Sequence, residues 1–224
     1  MLQLPDAGGN RPGPVTPGRP GVLTVWVADP DQPRPCLLAD LVSRVAQRHH
    51  LRAIVSGPAP AGWAALNVYP ADVAPGPPEP LDVAVGGAGG PAGSPAHWIR
   101  PGAVRSPIPD LAGLDPLALR LALLQRPYRA AAGLARDDLE AAAAVLQRWR
   151  ALVADYATSP SKPMCAAYTG DFLGALDGDL DTPAALRALS ALAADREIPA
   201  GSKFESFAYA DRFLGLDLAR DVGR

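Results

Sequence analysis

The chain has 224 residues, 48% hydrophobic and 20% charged, with a formal net charge of −2. That composition supports a packed core of one or two domains and excludes a chain-wide basic field for nucleic acid. Two cysteines, Cys36 and Cys165, make no disulfide framework and point to a reducing, cytoplasmic compartment. Residues 1–13 (MLQLPDAGGNRPG) have neither the basic nor the apolar region of a signal peptide. No apolar run approaches the roughly 20 residues that span a bilayer, so no membrane association is expected.

Composition shifts near residue 113. Of 26 prolines, 20 lie in residues 1–113, as do 15 of 22 glycines. Residues 1–113 are therefore predicted to be loop-rich with short elements, and residues 114–224 mostly helical. Gly21–Ala28 (GVLTVWVA), β-branched and aromatic between prolines, reads as a strand. Cys36–His49 reads as a helix, with Leu37, Leu38, Leu41, Val42 and Val45 on one face. Leu51–Val55 follows as a second strand. This order predicts a βαβ unit with a parallel sheet. Residues 56–80 read as a loop interrupted by a short strand at Leu66–Tyr69, and Leu81–Val85 as a further strand. Residues 86–96 (GGAGGPAGSPA) are low in complexity and expected to be mobile.

Five helices are predicted in residues 114–224. Asp115 with Pro116 caps the first, which runs to Gln125. Asp137 and Glu140 resemble a capping box opening a long helix to Ala157, with Leu139, Ala143, Leu146, Trp149 or Arg150, Val153 and Tyr156 inside. Pro163–Leu176 forms the third, with Met164, Tyr168, Phe172 and Leu176 in register. Thr182–Pro183 starts the fourth, with Leu186, Leu189 and Leu192 on one face. Ser202 and Glu205 form a capping box for the fifth, closed near Gly215. Short links make this a bundle. The fold class is thus α/β: a shortened Rossmann-like parallel sheet unit followed by an all-α helical bundle.

Several local patterns have ordinary readings. Gly86–Gly90 lacks the following helix and Lys of a phosphate loop, and Pro91 and Pro95 follow instead. Asp177, Asp179 and Asp181 resemble a calcium loop, but Thr182 and Ala188 stand where Gly and Glu are needed, so a turn with an N-cap is expected. Ser159 to Lys162 matches a Ser-x-x-Lys acylase pattern without its partner motifs and reads as a linker. Cys36 reads as a small buried hydrophobe, and His97–Trp98 as structural.

Three ordered stretches carry a family resemblance. They are Leu2–Val27; Ala96–Val104 (AHWIRPGAV) with Leu114–Arg129 (LDPLALRLALLQRPYR); and Leu176–Leu186 (LDGDLDTPAAL) with Asp211–Leu216 (DRFLGL). Together they resemble cysteinyl-tRNA synthetase, a class I aminoacyl-tRNA synthetase, and almost as well the related cysteine ligase of mycothiol biosynthesis. The resemblance implies a nucleotide-binding sheet, ATP-dependent activation of cysteine, a zinc that selects the thiol, and helices near a tRNA stem. The motifs that carry the ATP and zinc chemistry are missing here. Ala28 stands at the place of the zinc-ligating cysteine. Residues 29–36 read DPDQPRPC where His-x-Gly-His belongs, residues 88–96 hold no zinc ligand, and residues 105–113 (RSPIPDLAG) hold no lysine. Loss of these donors around the phosphates removes the means of stabilising the transition state.

The expectation is therefore a non-catalytic binding or regulatory paralogue with no cofactor and no zinc. The alternatives are a residual ATP-dependent cysteine ligase, acting on tRNA or an amino sugar, and an adaptor for tRNA or a protein. The expected nucleic-acid-binding residues are Arg120, Arg126 and Arg129, near Arg148 and Arg150. An oligomeric state is not legible.

Overall fold

The computed structural model describes residues 1–8, 11–58, 63–69, 71–86, 95–105 and 110–224. Seven strands and six α-helices are described: β1 (Gln3–Pro5), β2 (Pro12–Pro14), β3 (Val22–Val27), α1 (Pro33–Arg48), β4 (Arg52–Gly57), β5 (Asp72–Val73), β6 (Val83–Val85), β7 (His97–Ile99), α2 (Leu117–Leu124), α3 (Arg136–Tyr156), α4 (Ala166–Asp177), α5 (Thr182–Ala194) and α6 (Ala200–Leu214). Five strands form a parallel sheet in the order β5-β4-β3-β6-β7, while β1 and β2 pair as a small antiparallel ribbon. The expected α/β fold, a parallel sheet unit followed by helices, is what the chain forms.

Central β3 is covered on both sides, so its run of Val, Leu, Thr and Trp is buried almost throughout. Its start is latched to β6 by Asp82. That carboxylate accepts from the backbone N–H and the hydroxyl of Thr24 at 2.8 and 2.9 Å, and from Gly18 N–H at 2.7 Å. The βαβ unit is β3-α1-β4, with Thr24 opposite Ile54 and Val25 opposite Val55. One buried apolar cluster then runs from Leu23 and Val25 through Leu41, Leu121 and Leu146 to Phe207 and Leu216. It crosses the composition change near residue 113 without a break. In the helices, Trp149 and Tyr156 of α3 meet Phe207 of α6, and Phe172 of α4 meets Phe213.

Local chemistry differs from expectation at several points. Pro33 starts α1 three residues earlier than the expected Cys36, since proline suits a first helical turn. Leu66–Tyr69 is not a strand: Ala64–Leu66 is a 3-10 turn, and Asn67 with φ 54° ends it in the left-handed region. The long helix is capped by Asp138 rather than Asp137, its carboxylate accepting the Ala135 N–H at 2.8 Å, while Glu140 pairs with Arg136. Ser202 lies inside α6, not before it, and accepts through its carbonyl from the Ser206 hydroxyl. α4 begins at Ala166, leaving Met164 exposed in the preceding link. Most of the low-complexity stretch (87–94) and part of residues 105–113 (106–109) lie outside the described residues.

The two halves are joined by a buried ionic knot. Asp40 of α1 accepts through Oδ2 from Arg44 Nε at 2.8 Å and from Arg120 Nη2 at 2.7 Å. The Asp40 and Arg120 side chains are both 0% exposed. Arg120 also donates to the carbonyls of Leu66, Asn67 and Leu214, and Arg44 to those of Asn67 and Arg212. Removing one partner of a buried pair strands the other charge, which costs about 3–5 kcal/mol. Asp40→Asn is therefore expected to lower the unfolding free energy by about that amount, read from urea denaturation midpoints at unchanged slope. A loss well under 1 kcal/mol would show that the knot does not hold the halves together.

Candidate functional site

In an open parallel sheet, ligands bind outside the carboxyl ends of the strands where the strand order reverses. Here that point lies between β3 and β6, which lead outward in opposite directions along the sheet. A crevice of about 200 Å³ opens near there, lined by Asp29, Gln32, Arg34, Pro35 and residues 101–104. Its floor is the N-terminus of α1. That terminus is a weak anion site, because Pro33 and Pro35 remove two of the backbone N–H groups that a free helix end offers, and Gln32 makes no side-chain cap.

The far wall is the segment after β7. It is zipped by backbone hydrogen bonds to the link after α2: Gly102 N–H donates to Tyr128 O at 2.8 Å, Ala132 N–H to Ala103 O at 2.9 Å, and Arg105 N–H to Ala132 O at 2.8 Å. Gly102 is required at this crossing, since a Cβ there would lie 2.4 Å from Ala130 C and O. Arg34 clamps the zipped pair from beneath. Its Nη1 donates to Gly102 O at 2.9 Å and also to Ala130 O. The side chain is 2% exposed, and its Nε and Nη2 have no partner among the described residues. Burial, with the charge of Arg126 nearby, holds its pKa below the usual arginine range. Arg34 is the one cation among the lining residues. In the sequence, residues 87–94 (GAGGPAGS) and 106–109 (SPIP), outside the described residues, carry no Lys, Arg, His, Cys, Asp or Glu.

The arginines expected to meet nucleic acid are placed differently. Arg120 is a correction: it is fully buried in the Asp40 knot and presents no donor to a surface. Arg126 and Arg129 remain half-buried as ion pairs, to Asp138 and Asp179 respectively, each at 2.7 Å. Tyr128 also donates to Asp179, and burial plus that hydrogen bond push its pKa well up. Arg150 is buried against Asp115 and the carbonyls of Leu216 and Asp217. Asp181 caps α5 through Ala184 N–H at 2.9 Å, and Asp177 pairs with Arg48 and His49, so the Asp-rich stretch is a turn with a cap, as expected. Arg34 was not expected as a site residue. Its one local mark, Pro-Arg-Pro a few residues after β3, does not say what the guanidinium would hold.

No family profile matches the chain. Individual proteins do. The ligase named L-cysteine:1D-myo-inositol 2-amino-2-deoxy-alpha-D-glucopyranoside ligase of Thermomonospora curvata is 37% identical over 111 residues, 47% of this chain and 26% of that protein. Its counterpart in Streptomyces griseus is 41% identical over 90 residues, 40% of this chain and 21% of that protein. In Nakamurella multipartita the match is 39% identical over 106 residues, 47% of this chain and 24% of that protein. The chain is a partial homologue of these cysteine ligases. It spans about a quarter of the length of the relatives it matches.

The zinc that the resemblance implies does not fit the residues present. Zinc needs about four Cys, His or carboxylate ligands. The strand end offers Ala28, and no group of three such residues suited to a metal occurs among the described residues. Cys36, in the first turn of α1, is no substitute. It is buried, its Sγ donates to Pro30 O at 3.3 Å, and burial with Asp31 nearby pushes its pKa up to about 12. A thiol must ionise to ligate a metal or attack an electrophile. In the folded protein at pH 8, a disulfide-exchange reagent is expected to titrate Cys165 promptly and Cys36 only after unfolding in urea. Two fast thiols would place Cys36 in an open, ionised environment.

Proposed function

We propose that this chain is a non-catalytic binding or regulatory paralogue of the cysteine ligases, working in the cytoplasm. The observation that carries this reading is the state of Arg34. Among the described residues lining the crevice at the sheet's switch point there is one cation, and its Nη1 is committed to the carbonyls of Gly102 and Ala130. Activating an amino acid with ATP requires fixed positive charge or donors at the α-phosphate as pyrophosphate leaves, and each donor lost costs about 100–1000-fold. Two prolines at the helix end and the missing Gln32 cap leave that demand unmet among the described residues. Cysteine-dependent ATP–pyrophosphate exchange is expected at the level of a protein-free blank. A clear cysteine-dependent rate overturns the reading.

One observation favours a second reading, a residual ATP-dependent cysteine ligase. Arg34 Nε and Nη2 are buried without partners among the described residues, and unmet donors of that kind are costly, so an anion reaching them would complete the site. On this reading ATP with cysteine, near 100 times Kd, raises the unfolding free energy by about 2.7 kcal/mol. No helix among the described residues is long and apolar enough to cross a membrane.

A further inference from the structure

The C-terminal end of α1 lies roughly 24 Å along the helix from the crevice. There it meets the last turn of α6 and the residue after the 3-10 segment. Arg44, Gln47 and Arg48 of α1, Arg212 of α6, and Tyr69 and Tyr209 line a pocket of about 250 Å³. It is rich in donors and holds no carboxylate among its lining residues. Four guanidinium groups (Arg44, Arg48, Arg120 and Arg212) gather here, and the first three pair with two carboxylates, Asp40 and Asp177. Asp211 is turned away, accepting from the N–H groups of Leu216 and Leu218.

Helix C-termini attract cations, so the ordinary role of these arginines would be to offset two helix ends. Other groups already do that. Arg44 Nη1 takes the Arg212 carbonyl, and Arg120 takes that of Leu214. The Arg212 guanidinium itself bonds to no described protein acceptor, and Arg48 spends only Nη1 on Asp177. Tyrosine rings hold two of the forks in place: the Arg44 guanidinium carbon is 4.7 Å from the Tyr69 ring centre, and that of Arg212 is 5.8 Å from the Tyr209 ring centre. Stacking of this kind pre-orients a planar fork and reduces what a ligand must order.

We propose that this pocket binds a small phosphomonoester. Its oxyanion is held by Arg48 and Arg212, with the Arg44 charge behind. A phosphate dianion balances the surplus of guanidinium over carboxylate and offers acceptors for forks arriving from two helices, which a single carboxylate does less well. The volume suits a phosphate on a body of about sugar size. The organic part would extend past Tyr209 and Arg212 into the shallower groove they share with Ser161, Lys162 and Met164. The site is separate from the crevice and stands whether or not the chain has ligase activity.

The test is calorimetric titration of the full chain, at fixed ionic strength, with inorganic phosphate, D-glucose 6-phosphate and uncharged D-glucose. The two phosphates are expected to bind and glucose not. Arg212→Ala, at an exposed position, is expected to weaken binding about tenfold to a hundredfold with an unchanged melting temperature, as for loss of a charge-assisted pair. Arg212→Lys, keeping charge without the fork, should fall between. Arg148→Ala, on the exposed face of α3, should bind as the native chain does. Absence of binding at millimolar phosphate overturns the proposal. So does an Arg212→Ala variant that binds normally, or equal loss in the Arg148→Ala control. A short single-stranded RNA that displaces phosphate with a steep salt dependence overturns it in favour of a nucleic-acid surface.

Discussion

One carboxylate organises this molecule. Asp40 sits inside α1 with no exposure, and the two guanidinium groups that neutralise it come from different directions: Arg44 one turn along α1, and Arg120 from α2. Each arginine then spends its remaining donors on carbonyls that would otherwise be orphaned at element ends. Arg120 reaches the end of the 3-10 turn and the end of α6, and Arg44 reaches the same two places. Charged side chains thus do the capping that side-chain caps and water do in most proteins. Gly215 completes the arrangement. It ends α6 with φ 61°, and a Cβ there would meet Arg120 at 3.0 Å and Arg44 at 3.2 Å. A buried ion pair is costly to desolvate, and an apolar substitute of the same volume is often as stable. What an apolar substitute would lack here is direction, since hydrogen bonds to named carbonyls set how α2 and α6 meet α1.

α1 therefore serves three places at once. Its first turn floors the crevice, its middle holds Asp40, and its last turn lines the arginine pocket. The two ends differ in the donors left over. At the first turn, prolines remove backbone N–H groups and Arg34 is drawn off to carbonyls. At the last turn, the carbonyls are already met and guanidinium groups remain. The zipped pair 101–105 and 128–132 narrows the crevice further, because every backbone bond across it pulls the segment after β7 toward the link after α2 and away from open solvent.

How far the sequence revealed this depends on whether the cause was local. β3 was legible because β-branched residues between prolines have few other options, and α5 because Asp181, Pro183 and the spacing of Leu186, Leu189 and Leu192 agree with one another. The ribbon of β1 and β2 and the edge strand β5 were not, since two or three residues containing proline or lacking an apolar partner show no period. Leu66–Tyr69 alternates like a strand, but Asn67 in the left-handed region breaks it, and what holds Asn67 there is a bond from its Nδ2 to Gly215 O, 148 residues away. Arg34 was unreadable for the same reason: its acceptors are backbone carbonyls 68 and 96 residues along.

Arg120 is the instructive case, because its fate was in the sequence and was overlooked. α2 reads LALRLALL, with every other position apolar, so no face of that helix is polar and the whole of it must be buried. An arginine in such a helix has no route to water and must carry its partner with it. The partner is Asp40, itself placed in an otherwise apolar stretch of α1. Two charged residues, each misplaced in its own amphipathic pattern, are better read as one buried pair than as two surface residues. The same logic separates Arg120 from Arg212, whose helix has an exposed face and whose guanidinium is left without a carboxylate. Basic residues near a helix end thus carry meaning only after asking which of them the fold has already used.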